Sequence, residues 1–146
     1  MRPEPYELNP DNYSFSVEIP TRFEDVDSNN HVNNVAVASL FQESRLRFAI
    51  YARGKKIEEM RAQARVVAVS ILINYLGEIY YPQPVIISVG VSKIGTSSYT
   101  LGCLMCQDGK PVAHSKAIVV RSEDGQSSPL PMDIVEALSE CLIKQG

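Results

Sequence analysis

Between positions 22 and 34 the chain reads Arg-Phe-Glu-Asp-Val-Asp-Ser-Asn-Asn-His-Val-Asn-Asn, its densest run of side chains able to do chemistry. A carboxylate can attack a carbonyl or take a proton from water. An imidazole can hold or pass a proton near neutral pH. The run ends where residues 34–53, free of Gly and Pro, begin a predicted helix. A helix N-terminus presents unpaired N–H groups and the positive end of a dipole. It therefore stabilises an anion, a developing oxyanion included. Asp27, Asn29, His31 and Asn34 are thus candidate parts of an acyl-transfer site. The same residue types are also ordinary turn formers and helix caps, and composition alone leaves both uses open.

Other candidates are more isolated. Glu43 falls on the predicted helix, where it either pairs with Arg47 one turn on or faces the site from its far side. His114 falls in mid-strand, where a lone histidine is exposed or packed. Cys103 and Cys106 spell C-x-x-C in an alternating segment. Residues three apart on a strand point to opposite faces, which makes the two thiols poor partners for one metal ion. The sequence has no His, Cys and Glu set at metal-ligand spacing, no glycine-rich phosphate loop and no serine nucleophile elbow. No metal and no cofactor are expected.

The elements that must position these residues follow from periodicity. Residues 1–13 are Pro-rich and polar and read as an extended arm. Residues 14–23 alternate, with Phe15, Val17, Ile19, Thr21 and Phe23 on one face of a half-buried strand. Positions 24–33 are a polar loop. The helix over 34–53 is capped by Asn33 or Asn34 and stopped by Gly54. Val35, Val37, Leu40, Phe41, Leu46, Phe48 and Ile50 make it apolar nearly all round, which predicts burial. Segment 55–65 is charged and reads as a short helix or a loop. Strands are predicted over 66–75, 85–94, 97–107 and 110–121, with Val67, Val69, Ile71, Ile73 and Tyr75 sharing a face of the first. Gly95-Thr96 and Asp108-Gly109 supply tight turns, so the last three strands form an antiparallel meander. Residues 122–131 read as a loop and 132–144 as a C-terminal helix. The expected class is α+β: a single domain over 1–146, with a long buried helix wrapped by a curved antiparallel sheet of about five strands.

Composition narrows the functions. With 146 residues the chain is one domain. Lys and Arg total 14 against 17 Asp and Glu, a net charge of -3, which argues against a nucleic-acid partner. No apolar run is long enough for a membrane span. The N-terminus lacks a secretory pattern, and the odd number of cysteines, 3, suits a reducing compartment, so a cytoplasmic protein is expected.

The string from Arg22 to Arg45, with Asp27-x-x-x-His31-Val-Asn-Asn34 at its centre and Phe41-x-Glu43-x-Arg45 on the helix, resembles the signature of hotdog-fold thioesterases. It is most similar to the 4-hydroxybenzoyl-CoA thioesterase-like acyl-CoA thioesterases. Tyr75, Pro82, the run from Lys93 to Tyr99, Asp108-Gly109 and Pro129-Leu-Pro131 extend the likeness over nearly the whole chain. Asn30 stands where that family usually has Gly; Asn tolerates the left-handed backbone such a turn needs. The resemblance implies a hotdog domain that hydrolyses acyl-CoA thioesters. Asp27 would be the nucleophile or general base, the Asn34 amide the oxyanion donor, and His31 and Asn29 would shape the site. Asn33, Glu43, Lys93, Thr96 and Ser97 would contact substrate, with coenzyme A entering only as part of it. It also implies a homodimer, with a homotetramer as further assembly. The Asp27-x-Asn29-x-His31 spacing is similar, too, to plant-type acyl-carrier-protein thioesterases, where a further Glu takes part; Glu78 could fill that position, although Ile79 replaces the Cys that follows there. A non-catalytic acyl-thioester binding module is the alternative from another class.

Overall fold

The computed structural model describes residues 2–54 and 65–145. Five long strands make one antiparallel sheet: β1 (Phe15–Ile19), β2 (Val66–Tyr75), β3 (Val85–Ile94), β4 (Ser98–Gln107) and β5 (Lys110–Glu123). Their order across the sheet is β1-β3-β4-β5-β2, and a short β6 (Gln126–Ser127) pairs with the end of β5. Among the described residues there are two α-helices, α1 (Asn34–Arg53) and α2 (Met132–Ser139). β3, β4 and β5 form the expected meander. The β4–β5 hairpin turns on Asp108 and Gly109, at φ 52° and 78°, the positive values that a two-residue turn requires.

α1 runs over the residues that periodicity predicts. The Asn33 side chain accepts a hydrogen bond from the Ala36 N–H at its start, and Gly54 ends it in the left-handed region at φ 62°. Its buried stripe of Ala36, Val37, Leu40, Phe41 and Phe48 packs with Val85, Ile87, Val89, Val91, Leu101, Cys103 and Met105 of β3 and β4 in one core. Each large side chain so buried contributes ~1.5–3 kcal/mol. The helix is not covered all round, however. Val35 is 80% exposed, and Leu46 and Tyr51 also face solvent. A sheet on one side covers one stripe, and the apolar residues off that stripe stay outside.

Several element boundaries differ from the expectations. β1 stops at Ile19 because Pro20 has no N–H to continue the ladder. Phe23 therefore leaves the strand face, enters a 3-10 turn over Phe23–Asp25 and is exposed. The N-terminal arm is not extended: Pro5–Leu8 and Pro10–Asn12 are 3-10 turns, the first started by a Glu4/Glu7 capping box. β2 keeps its predicted bounds but carries a bulge between Ala68 and Ser70, so Val67 shares a face with Val120, opposite to that of Ile71, Ile73 and Tyr75. Part of the predicted loop 122–131 is the β5–β6 hairpin. α2 ends at Ser139 instead of 144, and the chain beyond it returns to the sheet, where Val91 bonds to Cys141 and Ile143 through backbone atoms. The prediction for 55–65 falls, but for Arg65, outside the described residues.

The sheet face away from α1 has a cover of its own. Gly90 and Gly102 leave room there for Ile143 and Tyr13; a Cβ on Gly90 would sit 2.6 Å from Ile143 Cγ1. Leu104 and His114, cross-strand partners, are fully buried beneath this cover. Among the described residues no helix is long and apolar enough to cross a membrane.

Candidate active site

The loop from 22 to 33 is built to hold Asp27 at the start of α1. Arg22 clamps the buried carboxylate of Asp25 through two hydrogen bonds, Nε to Oδ2 at 3.0 Å and Nη2 to Oδ1 at 2.7 Å. The Asp25 carbonyl in turn accepts both the backbone N–H and the side-chain amide of Asn33, each at 2.9 Å. This ties the helix cap to the 3-10 turn. Between them the chain closes on itself: the Asp27 N–H donates to the His31 carbonyl at 2.9 Å, and Asn30 takes the left-handed conformation at φ 64°. The Gly-to-Asn departure is thus accommodated.

Asp27 Oδ1 accepts the backbone N–H groups of Asn29 at 2.9 Å and His31 at 3.1 Å. These two amides hold its carboxyl below the usual carboxylate range, with the His31 charge adding to the effect. The group is ionised at neutral pH and firmly oriented. It opens on a cavity of ≈ 300 Å³ that Asp27, His31, Asn34, Val37, Tyr75 and Glu78 help to line. Asn34 is the first residue of α1, so its N–H has no intrahelical acceptor. A carboxylate and a helix N-terminus facing one cavity are the two parts that acyl transfer needs.

The far wall of the cavity comes from the segment after β2. The His31 backbone bridges to Tyr80, and the Val32 N–H donates to the Ile79 carbonyl at 2.8 Å. Glu78 Oε2 lies 3.4 Å from His31 Nε2 and accepts the Tyr80 hydroxyl in a short hydrogen bond. The His31 and Tyr80 rings meet edge-on at 5.1 Å. The hydrogen bond to Glu78 raises the Tyr80 phenol above its ordinary value. Tyr80 is fixed from behind by Gln107, a buried side chain at the end of β4. Gln107 accepts the Tyr80 N–H at 2.9 Å and donates to the carbonyls of Tyr80 at 2.8 Å and Gln83 at 2.9 Å.

Of the residues singled out in the sequence, Asp27, His31, Asn33 and Asn34 line one cavity, and Asn29 supplies an amide to Asp27. Glu43 forms the ion pair with Arg47 and does not line it. Lys93, Thr96 and Ser97 lie at the other end of the sheet: Ser98 is level with Val67 through Val120, whereas the cavity borders Tyr75. Eight residues of strand separate those levels, ~26 Å. Asp25, Tyr80 and Gln107 were not legible as site residues. Asp25 stands next to the motif, but Tyr80 and Gln107 meet only through the fold. Among the described residues, no three His, Cys, Asp or Glu side chains cluster tightly enough to hold a metal ion.

The profile of the Thioesterase-like superfamily matches residues 21–138, which include this loop, the helix and the whole meander. The chain belongs to this superfamily. Solved structures agree with the assignment. A predicted thioesterase from Bacillus stearothermophilus is 26% identical, with a TM-score of 0.79 over 90% of this chain and 98% of that one. A thioesterase from Thermus thermophilus, solved with coenzyme A and Zn, is 26% identical, with a TM-score of 0.75 over 88% and 93% of the two chains. The PA5185 protein of Pseudomonas aeruginosa, 22% identical, superposes with a TM-score of 0.82 over 93% and 96% and shares the fold. A search of curated proteins returned no match. The fold is the hotdog fold of these thioesterases, as the sequence resemblance implied.

Proposed function

We propose that this superfamily member hydrolyses acyl-CoA thioesters to the free acid and coenzyme A. The observation that carries this reading is Asp27: an ionised carboxylate, pinned by two loop amides, sharing a cavity with the first amide of α1. Asp27 attacks the thioester carbonyl or takes the proton of the attacking water. In both routes the Asn34 N–H and the positive end of α1 stabilise the oxyanion. The Thermus thermophilus thioesterase with coenzyme A bound supports the carrier. The contact of Glu78 with His31 favours a second reading, an acyl-carrier-protein thioester, since that resemblance asks for an Asp, Asn, His and Glu set.

The same reading includes a homodimer. β2 ends the described sheet, and its Val66, Val67, Val69, Ile71 and Leu72 are exposed. Antiparallel pairing of two β2 edges covers these residues. It also brings the β3–β4 hairpin of a second copy, with Lys93, Thr96 and Ser97, to the cavity end of the joint sheet. Basic and hydroxyl groups there suit the phosphates of coenzyme A.

Thiol release from acetyl-, octanoyl- and benzoyl-CoA tests the activity, with Asp27→Asn in parallel. Turnover by the wild-type protein and a loss of about 10²-fold or more in the variant are expected, equivalent to ~3 kcal/mol of transition-state stabilisation. Tight binding without thiol release would point instead to a binding module. Release from acyl-carrier-protein thioesters alone would establish the second carrier.

A further inference from the structure

The cavity holds more acid–base machinery than attack on a carbonyl requires. Asp27 is engaged by backbone amides, and the imidazole of His31 lies against Glu78. The same Glu78 oxygen, Oε2, accepts the Tyr80 hydroxyl, and Tyr80 is anchored by Gln107. This chain of contacts links the end of β4 to the rim of the cavity and stops at one imidazole.

We propose that His31, set against Glu78 by the Gln107–Tyr80 clamp, protonates the departing thiolate, and that Tyr80, Gln107 and Glu78 are positioning residues for that step. The inference rests on the thioesterase reading above. An alkyl thiolate is a basic leaving group, and its expulsion is eased by a proton delivered as the C–S bond breaks. In the nucleophilic route Asp27 is bonded to the acyl carbon and has no proton to give; in the general-base route it holds the water's proton on the carbonyl side, and a second donor is free to meet the sulfur. An imidazole with a carboxylate on Nε2 keeps its other nitrogen, Nδ1, for proton exchange. The step balances in either route of attack. The C–S bond breaks with its electron pair on sulfur, and the imidazolium proton passes to sulfur to give the free thiol. The proton released from water at the carbonyl returns, through Asp27 and solvent, to the imidazole. No oxidant, reductant or further reactant takes part.

The geometry also gives the clamp a reason. His31 and Glu78 are both partly open to solvent, with side chains 30% and 60% exposed. A solvated pair wanders unless something fixes it. The Tyr80 hydroxyl fixes the carboxylate, its ring bounds the imidazole, and one buried amide fixes the Tyr80 and Gln83 backbone by accepting one hydrogen bond and donating two.

Leaving-group dependence separates this role from a structural one. The experiment compares octanoyl and benzoyl thioesters of N-acetylcysteamine, an alkyl thiol, with those of 4-nitrothiophenol, whose thiolate leaves without a proton. On the alkyl thioesters, kcat/KM falls by about 10²-fold for His31→Asn, at the lower end of general acid catalysis, and by less, about tenfold, for the positioning variant Tyr80→Phe. On the aryl thioesters both variants stay within about threefold of wild type, which also reports that they are folded. Gln107→Ala follows the Tyr80→Phe pattern at a lower Tm. Asp27→Asn loses activity on both classes. Equal losses on both thiols, or no loss on either, would overturn the proposal. A wild-type protein inert towards every thioester would instead remove the hydrolase reading on which it stands.

Discussion

His31 and His114 each lie beside a glutamate, at 3.4 Å and 3.1 Å, yet one pair opens on a cavity and the other is shut away from water. His31 and Glu78 sit at the helix side of the sheet, partly solvated, and touch the space a substrate would fill. His114 and Glu7 lie under the N-terminal arm on the opposite face, each side chain 1% exposed. Lys116 adds a second cation, its Nζ 3.3 Å from Glu7 Oε1. Burial pushes the His114 imidazole below its ordinary value; Glu7 opposes that shift and Lys116 adds to it. The difference shows what burial does to one chemical pair. At the cavity rim the pair contributes little to folding and is free to exchange protons. Under the arm, access is lost, and the pair joins the arm to the sheet.

Removing one buried partner should break the contrast most strongly. Glu7→Ala leaves His114 and Lys116 without their carboxylate and should lower the unfolding free energy by about 3 kcal/mol, measured in urea, while kcat/KM of the folded protein is unchanged. Gly90→Ala attacks the same cover by sterics alone. Its Cβ would meet Ile143 at 2.6 Å and the Cys141 carbonyl at 3.3 Å, and a loss of ~1–3 kcal/mol is expected in the same measurement. The pH dependence sharpens the comparison further. His114 is lowered in the folded state, so the unfolded chain binds the extra proton once pH falls below its ordinary ~6.5. Stability from the neutral imidazole is therefore full above that value and declines below it, at up to ~1.4 kcal/mol per pH unit. Urea midpoints at pH 7.5 and 5.5 should separate for wild type and separate less for His114→Gln. The smallest structural effect belongs to the open pair: Glu78→Gln should move Tm by less than about 2 °C, even as it slows alkyl thioester hydrolysis.

The sequence was readable wherever the determining contacts are local. Asn33 and Gly54 bound α1, and Asp108-Gly109 sets the β4–β5 turn, because caps and tight turns depend on a few neighbouring residues. The Asp27 loop was legible for the same reason: its hydrogen bonds span two to four positions. Gln107 reaches Tyr80 across 27 positions, and no periodicity records such a meeting. Glu7 reaches His114 over a longer interval, so a histidine in mid-strand gave no hint of its partner. The bulge at Val69 escaped because alternation continues through it in sequence and fails only against β5. Phe23 and Val35 misled because apolar type was read as burial, whereas the end of β1 and the single sheet beside α1 leave both outside.

A newly made chain carries its β2 edge before any partner covers it. Ten residues of strand with no charged side chain among them, and with exposed valines and isoleucine, lie at the end of the described sheet. An edge of that kind is a template for any extended apolar segment, those of unfolded neighbours included. If two copies pair through β2 as proposed, concentration governs production and storage of the protein in two opposing senses. Dilution leaves the edge bare for longer, and crowding with unfolded chains offers it wrong partners. A single Lys on the solvent side of β2 is a gatekeeper that would improve solubility and weaken the proposed pairing of two copies.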